Sequence, residues 1–385
     1  MYKIFCHSER RVLNGNLKYI AGKVASGVDK LELINKEVRL MHKGGPYGTH
    51  RVIEPKGLLP QPAWKIDNRM EIYDNEVLID VDVLNIDSAS FTQIEEEAAG
   101  DEARIAEKIM SIVAERGKMH NPVTGSGGML IGRVAQIGPA LEGKSPLKVG
   151  QRLATLVSLS LTPLQIDRIK KIHKEIDQVE IEGKAILFES GIYAVLPDDL
   201  PDTLSLAVLD VAGAAAQTAK LVRPGDSVVV IGAGGKSGLL CLHEARKRAG
   251  ITGKVIGIAP REASKKRAES TGYCDAVILA DATDAMTVME KVKEVNGGRL
   301  ADVTINCVNI PHTELASILA TRDGGTVYFF SMATSFTAAA LGAEGVGKDV
   351  TMIVGNGYTR GHAAISLQIM RESPVLRKIF EELYV

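Results

Sequence analysis

Cysteine is scarce in this chain. Its four residues, Cys6, Cys241, Cys274 and Cys307, lie far apart and form no C-x-x-C pair, so neither a disulfide framework nor a cysteine zinc lobe is suggested, and a reducing cytoplasm is the expected setting. Aromatic residues make up 4% of the sequence, with Trp64 the single tryptophan, which is too few for the stacking platforms of single-stranded nucleic-acid binding. Neither charge sign dominates. Forty-six basic residues face 47 acidic ones, so no long-range field favours nucleic acid or an anionic membrane. No run approaches the ~20 uninterrupted apolar residues of a membrane span. The first residues include Lys3, His7, Glu9, Arg10 and Arg11 and lack the apolar core of a secretory signal. These absences leave a soluble, non-exported protein with a small-molecule partner, and 385 residues allow two or three domains.

What the chain does have is the run from Pro224 to Leu240. A turn (Pro224-Gly225-Asp226), an apolar strand, a glycine loop (Gly232-Ala233-Gly234-Gly235-Lys236-Ser237-Gly238) and a helix start follow in order. That order suits a dinucleotide: Gly232 for the tight turn, Gly234 for close approach to a pyrophosphate, then small residues for tight helix packing. Gly235, Lys236 and Ser237 of the loop are candidate cofactor-binding residues, and the N-terminus of the helix that follows offers free N–H groups and positive dipole to phosphates. The third small position of the fingerprint is Ser237, with Gly238 one residue later. Gly235-Lys236-Ser237 also imitates the end of a P-loop, but the glycine that motif requires five residues earlier is replaced by Val230.

From Ser205 onward the pattern alternates helix and strand. Helix 206–221 precedes strand 227–232. Helices over 238–248, 263–270, 285–295 and 312–320 then separate strands over 255–259, 276–279, 303–307 and 326–331, and a strand over 350–354 completes a six-stranded sheet. These strands are apolar without alternation, as in a parallel sheet covered on both faces. The preceding part is different. Residues 76–84 alternate with period two, and 128–136 and 152–157 are strand-like, which predicts a β-barrel or sandwich. Two amphipathic helices are expected within it, over 95–118 and over 163–177, the latter with Thr162 as N-cap and Pro163 at its first position. The resulting domains are an N-terminal extension (1–43), a barrel-like domain (44–204), a dinucleotide domain (205–365) and a C-terminal helical segment (366–385). Residues 1–43 read either as a genuine extension or as sequence upstream of a start at Met41.

A β-rich domain followed by this sheet resembles the medium-chain dehydrogenase/reductase superfamily over residues 44–365. The resemblance implies an α/β fold with a chaperonin-10-like, barrel-like substrate domain and a doubly wound Rossmann domain. Where zinc-dependent members carry a metal-binding cysteine and a Gly-His-Glu element, this chain has Asn85 to Phe91 and Thr124-Gly125-Ser126-Gly127-Gly128. Neither stretch has a cysteine or histidine to bind zinc, so no zinc is expected. Tyr47 to Gly57, Pro60-Gln61-Pro62 and Asn85 to Phe91 are further similar to the L-erythro-3,5-diaminohexanoate dehydrogenase family of lysine fermentation. That implies NAD(P)-dependent oxidative deamination at C3, giving 5-amino-3-oxohexanoate and ammonia. The expected partners are the diamino acid and a second copy of the chain in a homodimer, with no nucleic acid and no membrane. Other readings on the same fold are a zinc-free quinone or enoyl reductase and a nucleotide-binding protein without catalysis. Superfamily relatives return a C-terminal segment to the barrel, whereas here the sequence ends soon after a helix over 364–371.

Amine oxidation requires the neutral amine and hence a general base. Asp87 is the preferred candidate, with Ser88, Thr124 and Ser126 as hydrogen-bonding neighbours, although Asp87 equally suits a turn or cap. Asp210, inside an apolar helix, is the second carboxylate, and His50 is a candidate proton relay. Arg51 or Arg360 suits the substrate carboxylate. Asn309 and Ser331, at strand C-terminal ends, are candidates for the nicotinamide amide, and Cys307 reads as a small buried residue. No acid closes the second strand, where Gly257-Ile258-Ala259-Pro260-Arg261 stands. Arg261 and Lys265, with Lys266 or Arg267, would instead meet a 2′-phosphate, so NADP is expected over NAD with some use of both.

Overall fold

The computed structural model describes residues 43–331, 333–355 and 357–385. The expected extension therefore lies, but for Lys43, outside the described residues, as does the start at Met41. The chain divides between Val195 and Leu196 into two units.

In the first unit β1 (Val52–Glu54) pairs with β2 (Lys65–Ile66). β3 (Glu76–Ile86), α1 (Ser88–Glu97), α2 (Glu102–Arg116), β4 (Gly128–Ile137), β5 (Arg152–Thr155), β6 (Leu164–His173), β7 (Gln178–Phe188) and β8 (Tyr193–Val195) follow. The strands form an antiparallel sheet of order β6-β7-β3-β4-β5-β8. In β3 the buried apolar residues are Val77, Ile79 and Val81 and then Leu84 and Ile86. A register shift between Val81 and Val83 reverses the parity of the inward face.

Two expectations fail here for local reasons. The helix expected over 95–118 is two helices. Ala99 (φ 53°) and Gly100 (φ 73°) turn the chain through the left-handed region, and Asp101 restarts it as an N-cap accepting from the Arg104 N–H at 2.9 Å. The helix expected over 163–177 is strand β6, hairpinned to β7. Register shifts between Ile166 and Arg168 and between Ile169 and Lys171 space Ile166, Ile169 and Ile172 by three, so a doubly bulged strand imitates a helical stripe.

The second unit runs α3 (Asp202–Leu209), α4 (Ala212–Leu221), β9 (Ser227–Ile231), α5 (Lys236–Ala249), β10 (Lys254–Ala259), α6 (Glu262–Ser270), β11 (Ala276–Leu279), α7 (Ala285–Val295), β12 (Ala301–Asn306), α8 (Glu314–Ala320), β13 (Thr321–Phe329), α9 (Phe336–Gly345), β14 (Thr351–Val354), α10 (His362–Glu372) and α11 (Pro374–Tyr384). The expected six-stranded parallel sheet is present, in the order β11-β10-β9-β12-β13-β14. This is the doubly wound order with the first strand central, and all five residues of β9 are buried. The apolar helix expected over 206–221 is broken at Asp210-Val211 into α3 and α4. Among the described residues no single helix is long and apolar enough to cross a membrane.

Lys118, just after α2, is fully buried. Its Nζ donates to the carbonyls of Pro60 (2.6 Å) and Gln61 (2.9 Å). Burial, and then the charge of Arg116, pull its amine down to about 7 from the ordinary 10.5. The unfolded chain therefore binds a proton between pH 7 and 10.5 that the folded chain releases, and stability rises with pH across that window. We expect this to contribute about 2 kcal/mol between pH 7 and 9. Urea unfolding of Lys118→Met should lack that rise, and equal pH slopes for wild type and variant would refute the assignment.

Candidate active site

In the first unit Asp87 sits at the N-cap position of α1, but its side chain makes no capping bond. The carboxylate is exposed and accepts from the Ser126 hydroxyl at 2.9 Å. Ser126 Oγ is 2.8 Å from the Oγ of buried Ser90, which is in turn 2.5 Å from Thr124 Oγ1. The four side chains form one hydroxyl chain ending on a carboxylate. Asn121 shapes the loop carrying Thr124 and Ser126: its Oδ1 accepts from Val123 N–H at 2.8 Å, and its Nδ2 donates to Gln93 at 2.8 Å. Ser88 points elsewhere. Its hydroxyl donates to the carboxylate of Asp177 in the β6–β7 turn, and Asp177 O accepts from Ile86 N–H at 3.0 Å. Asp177 is thus held against the two residues that flank Asp87, Ile86 and Ser88, and among the described residues neither carboxylate is paired with a cation. Ser90 and Asp177 were missed from sequence. Ser90 is one small residue among several in the segment Asn85 to Phe91, and the helix-like spacing of isoleucines over 163–177 hides Asp177.

His50 and Arg51 belong to a buried structural network centred on Glu76. Arg51 donates through Nε and Nη2 to Glu76 at 2.7 Å each, and through Nη1 and Nη2 to the carbonyls of Asp67, Arg69 and Glu71. All of its donor directions are spent, so it is no receptor for a substrate carboxylate. His50 Nε2 lies 2.8 Å from Glu76 Oε1 and its ring packs edge-on against Tyr73, which gives it a structural rather than a relay position. Burial pushes the Glu76 carboxyl up, but bonds from Arg51, His50 and the Tyr73 N–H outweigh this and hold it below its ordinary value.

In the second unit Gly232 has φ 85°, a conformation that disfavours any side chain. A Cβ at Gly234 would lie 2.2 Å from the carbonyl oxygen of Ser264, and one at Gly238 would lie 2.1 Å from that of Gly232. The bareness of Gly234 thus serves the approach of α6. Gly238, not Ser237, is the third close-packing position. Gly235 is the N-cap of the 14-residue α5 and brings no side-chain cap, leaving the first N–H groups of the helix, from Lys236 and Ser237 on, available. Lys236 Nζ lies 3.2 Å from Asp210 Oδ2. The structure therefore joins two residues that sequence assigned to different tasks, and Asp210 is a half-exposed ion-pair partner at the α3–α4 break.

Arg261 is exposed at the N-cap of α6, and Lys266 is exposed in its first turns. Lys265 is engaged by Glu269 at 2.8 Å, and Arg267 donates to the Gly234 carbonyl at 2.8 Å. Asn309 is exposed beyond β12. Ser331 is buried, its Oγ accepting from Ala333 N–H at 3.1 Å. Arg360 is exposed after β14. Cys307 Sγ is 3.8 Å from Cys241 Sγ. That contact and burial hold its thiol well above the usual range, which fits a packing residue rather than a nucleophile.

The glycine loop fits a nicotinamide dinucleotide: a tight left-handed turn, a side-chain-free N-cap and a long helix whose free N–H groups suit a pyrophosphate. Among the described residues no three His, Cys, Asp or Glu side chains are grouped so as to hold a metal ion.

Comparisons with known proteins agree with this geometry. Residues 50–197 match the family model of the L-erythro-3,5-diaminohexanoate dehydrogenase N-terminal domain, and residues 237–353 match that of the zinc-binding dehydrogenases. A relative from Acetoanaerobium sticklandii, an L-erythro-3,5-diaminohexanoate dehydrogenase, is 65% identical over 343 residues, 89% of this chain and all of its own length. A relative of the same name from Fusobacterium nucleatum is 63% identical over 90% of this chain and all of its own length. Among solved structures, an alcohol dehydrogenase from Thermus sp. ATN1 matches with TM-score 0.50 at 18% identity, covering 84% of this chain and 90% of that one, which shows the fold alone. The chain belongs to the L-erythro-3,5-diaminohexanoate dehydrogenase family and is a dehydrogenase that uses a nicotinamide cofactor.

Proposed function

We propose that this protein oxidatively deaminates L-erythro-3,5-diaminohexanoate at C3, giving 5-amino-3-oxohexanoate and ammonia as in lysine fermentation. The observation that carries the chemistry is the Asp87–Ser126–Ser90–Thr124 chain. Asp87 takes the proton that frees the C3 amine, and Ser126 holds the carboxylate in place. A bound oxidised nicotinamide would supply the hydride acceptor for C3, and the amine freed by Asp87 has the lone pair needed to close the C=N bond. Water then adds to the imine carbon and ammonia leaves. Asp177, anchored by Ser88, meets the second ammonium at C5. Gly232, Gly235, Lys236 and Ser237 hold the pyrophosphate, Asn309 and Ser331 remain the candidates for the nicotinamide amide, and Arg360 for the substrate carboxylate. No metal enters this scheme.

The test is turnover of 3,5-diaminohexanoate with ammonia release, beside 3-aminohexanoate, which lacks the C5 amine. Asp177→Asn should raise KM for the diamino acid about tenfold, the scale of one lost charge-assisted contact, and leave 3-aminohexanoate unaffected. Failure to oxidise the diamino acid would defeat the proposal. Equal losses on both substrates would remove Asp177 from recognition.

With Lys265 and Arg267 engaged elsewhere, the expected preference for NADP rests on Arg261 and Lys266. Arg261→Ala should raise KM for NADP about tenfold and change that for NAD by less than a factor of about two. Initial rates across a concentration series decide this, and parallel changes with both cofactors would dismiss the phosphate contact. The proposed homodimer is tested by sedimentation.

A further inference from the structure

The last helix sets an aromatic ring against the dinucleotide loop. Ser373 Oγ caps α11 by accepting from Leu376 N–H at 3.1 Å, and it also accepts from the Tyr273 hydroxyl at 2.6 Å. Leu376 and Phe380 are fully buried. Tyr384 packs edge-on against Phe380 with ring centroids 5.1 Å apart. On this fixed base, the Tyr384 ring centroid lies 5.2 Å from Lys236 Nζ, the ammonium that also meets Asp210 Oδ2 at 3.2 Å. Burial pushes the Tyr384 hydroxyl up while the charge of Arg267 pulls it back, so Arg267, bonded to the Gly234 carbonyl at 2.8 Å, is within electrostatic reach of the same side chain.

Lys236 is the first residue of α5, where a phosphate is expected. A free lysine at such a position loses rotamer freedom on binding, and one already held between a carboxylate and an aromatic face loses less. We propose that Tyr384 is a positioning residue for the dinucleotide: its ring and Asp210 hold Lys236 at the N-terminus of α5, ready for the pyrophosphate. The proposal rests on the dinucleotide reading of the glycine loop. Cation–π attraction depends on the ring face and not on the hydroxyl, so phenylalanine serves and leucine, which keeps the packing on Phe380, does not.

Calorimetric titration of the full chain with NADH and NADPH tests this. Tyr384→Leu should raise Kd five- to tenfold with both, and Tyr384→Phe should bind like the wild type. Tyr384→Leu should add nothing to the loss caused by Lys236→Met, because the ring acts through that ammonium. KM for the diamino acid and Tm should stay unchanged. Wild-type affinity in Tyr384→Leu, losses that multiply in the double variant, or a lowered Tm that accounts for the weaker binding would each overturn the positioning role. Absence of binding by the wild-type chain would instead bring down the dinucleotide reading, and this inference with it.

Discussion

Asp87→Asn is expected to lower kcat about 100-fold at neutral pH, at the lower end of the ~10²–10⁴ that a positioned general base contributes. Asparagine keeps the shape and can still meet Ser126, so the hydroxyl chain survives while its capacity to take a proton is lost. An ammonium has no lone pair with which to form a C=N bond. The reacting fraction in the variant is therefore set by the free amine in solution, which grows as pH rises toward an amine's ordinary pKa near 10. Activity of the variant should recover in part between pH 8 and 10, over a range where wild-type activity is flat. A pH–rate profile of both proteins checks this. Full activity of the variant at neutral pH would take Asp87 out of the mechanism. Asp210 would be a poor replacement, because its carboxylate is paired with Lys236.

Glu76→Gln should destabilise the protein by about 3 kcal/mol, the scale of breaking a buried ion pair from one side, and lower Tm by about 10 °C. Glu76 is fully buried and is the one carboxylate on which Arg51 and His50 converge. Removing its charge strands the Arg51 guanidinium, which is 1% exposed. The pH dependence carries a definite sign. A carboxyl held below its ordinary 4.5 contributes stability that is complete above that value and lost as pH falls through the folded pKa. The gap between wild type and variant should therefore narrow from pH 6 toward pH 3. Thermal unfolding at those two pH values decides the matter, and a gap that stays constant would mean that Arg51 is held mainly by its three backbone carbonyls.

In the second unit most of the architecture was legible in the sequence. Apolar runs such as Val228 to Ile231, punctuated by Pro224-Gly225 and by the glycine loop, state their structure locally, because a strand buried on both faces needs no partner-dependent alternation. Six strands, their parallel arrangement and the loop at the head of α5 follow from that pattern. The segments carrying Asp87, Ser88 and Ser126 draw notice in the sequence because the family resemblance sets them where zinc-dependent members carry metal ligands, and the fold brings Asp87 and Ser126 within hydrogen-bond distance.

Tertiary structure decided the rest. Residues 164–173 contain isoleucines spaced like a helix face, and only the pairing of β6 with β7, bulged twice, settles them as a strand and brings Asp177 to Ser88. The same holds for contacts between residues distant in sequence: Glu76 with Arg51, Asp210 with Lys236, Lys118 with Pro60, and Tyr384 with Lys236. Each depends on where a packed core sets two backbones side by side. Hydrophobic periodicity records which face of an element is buried, but it carries no record of which polar side chain waits on the neighbouring element to meet it.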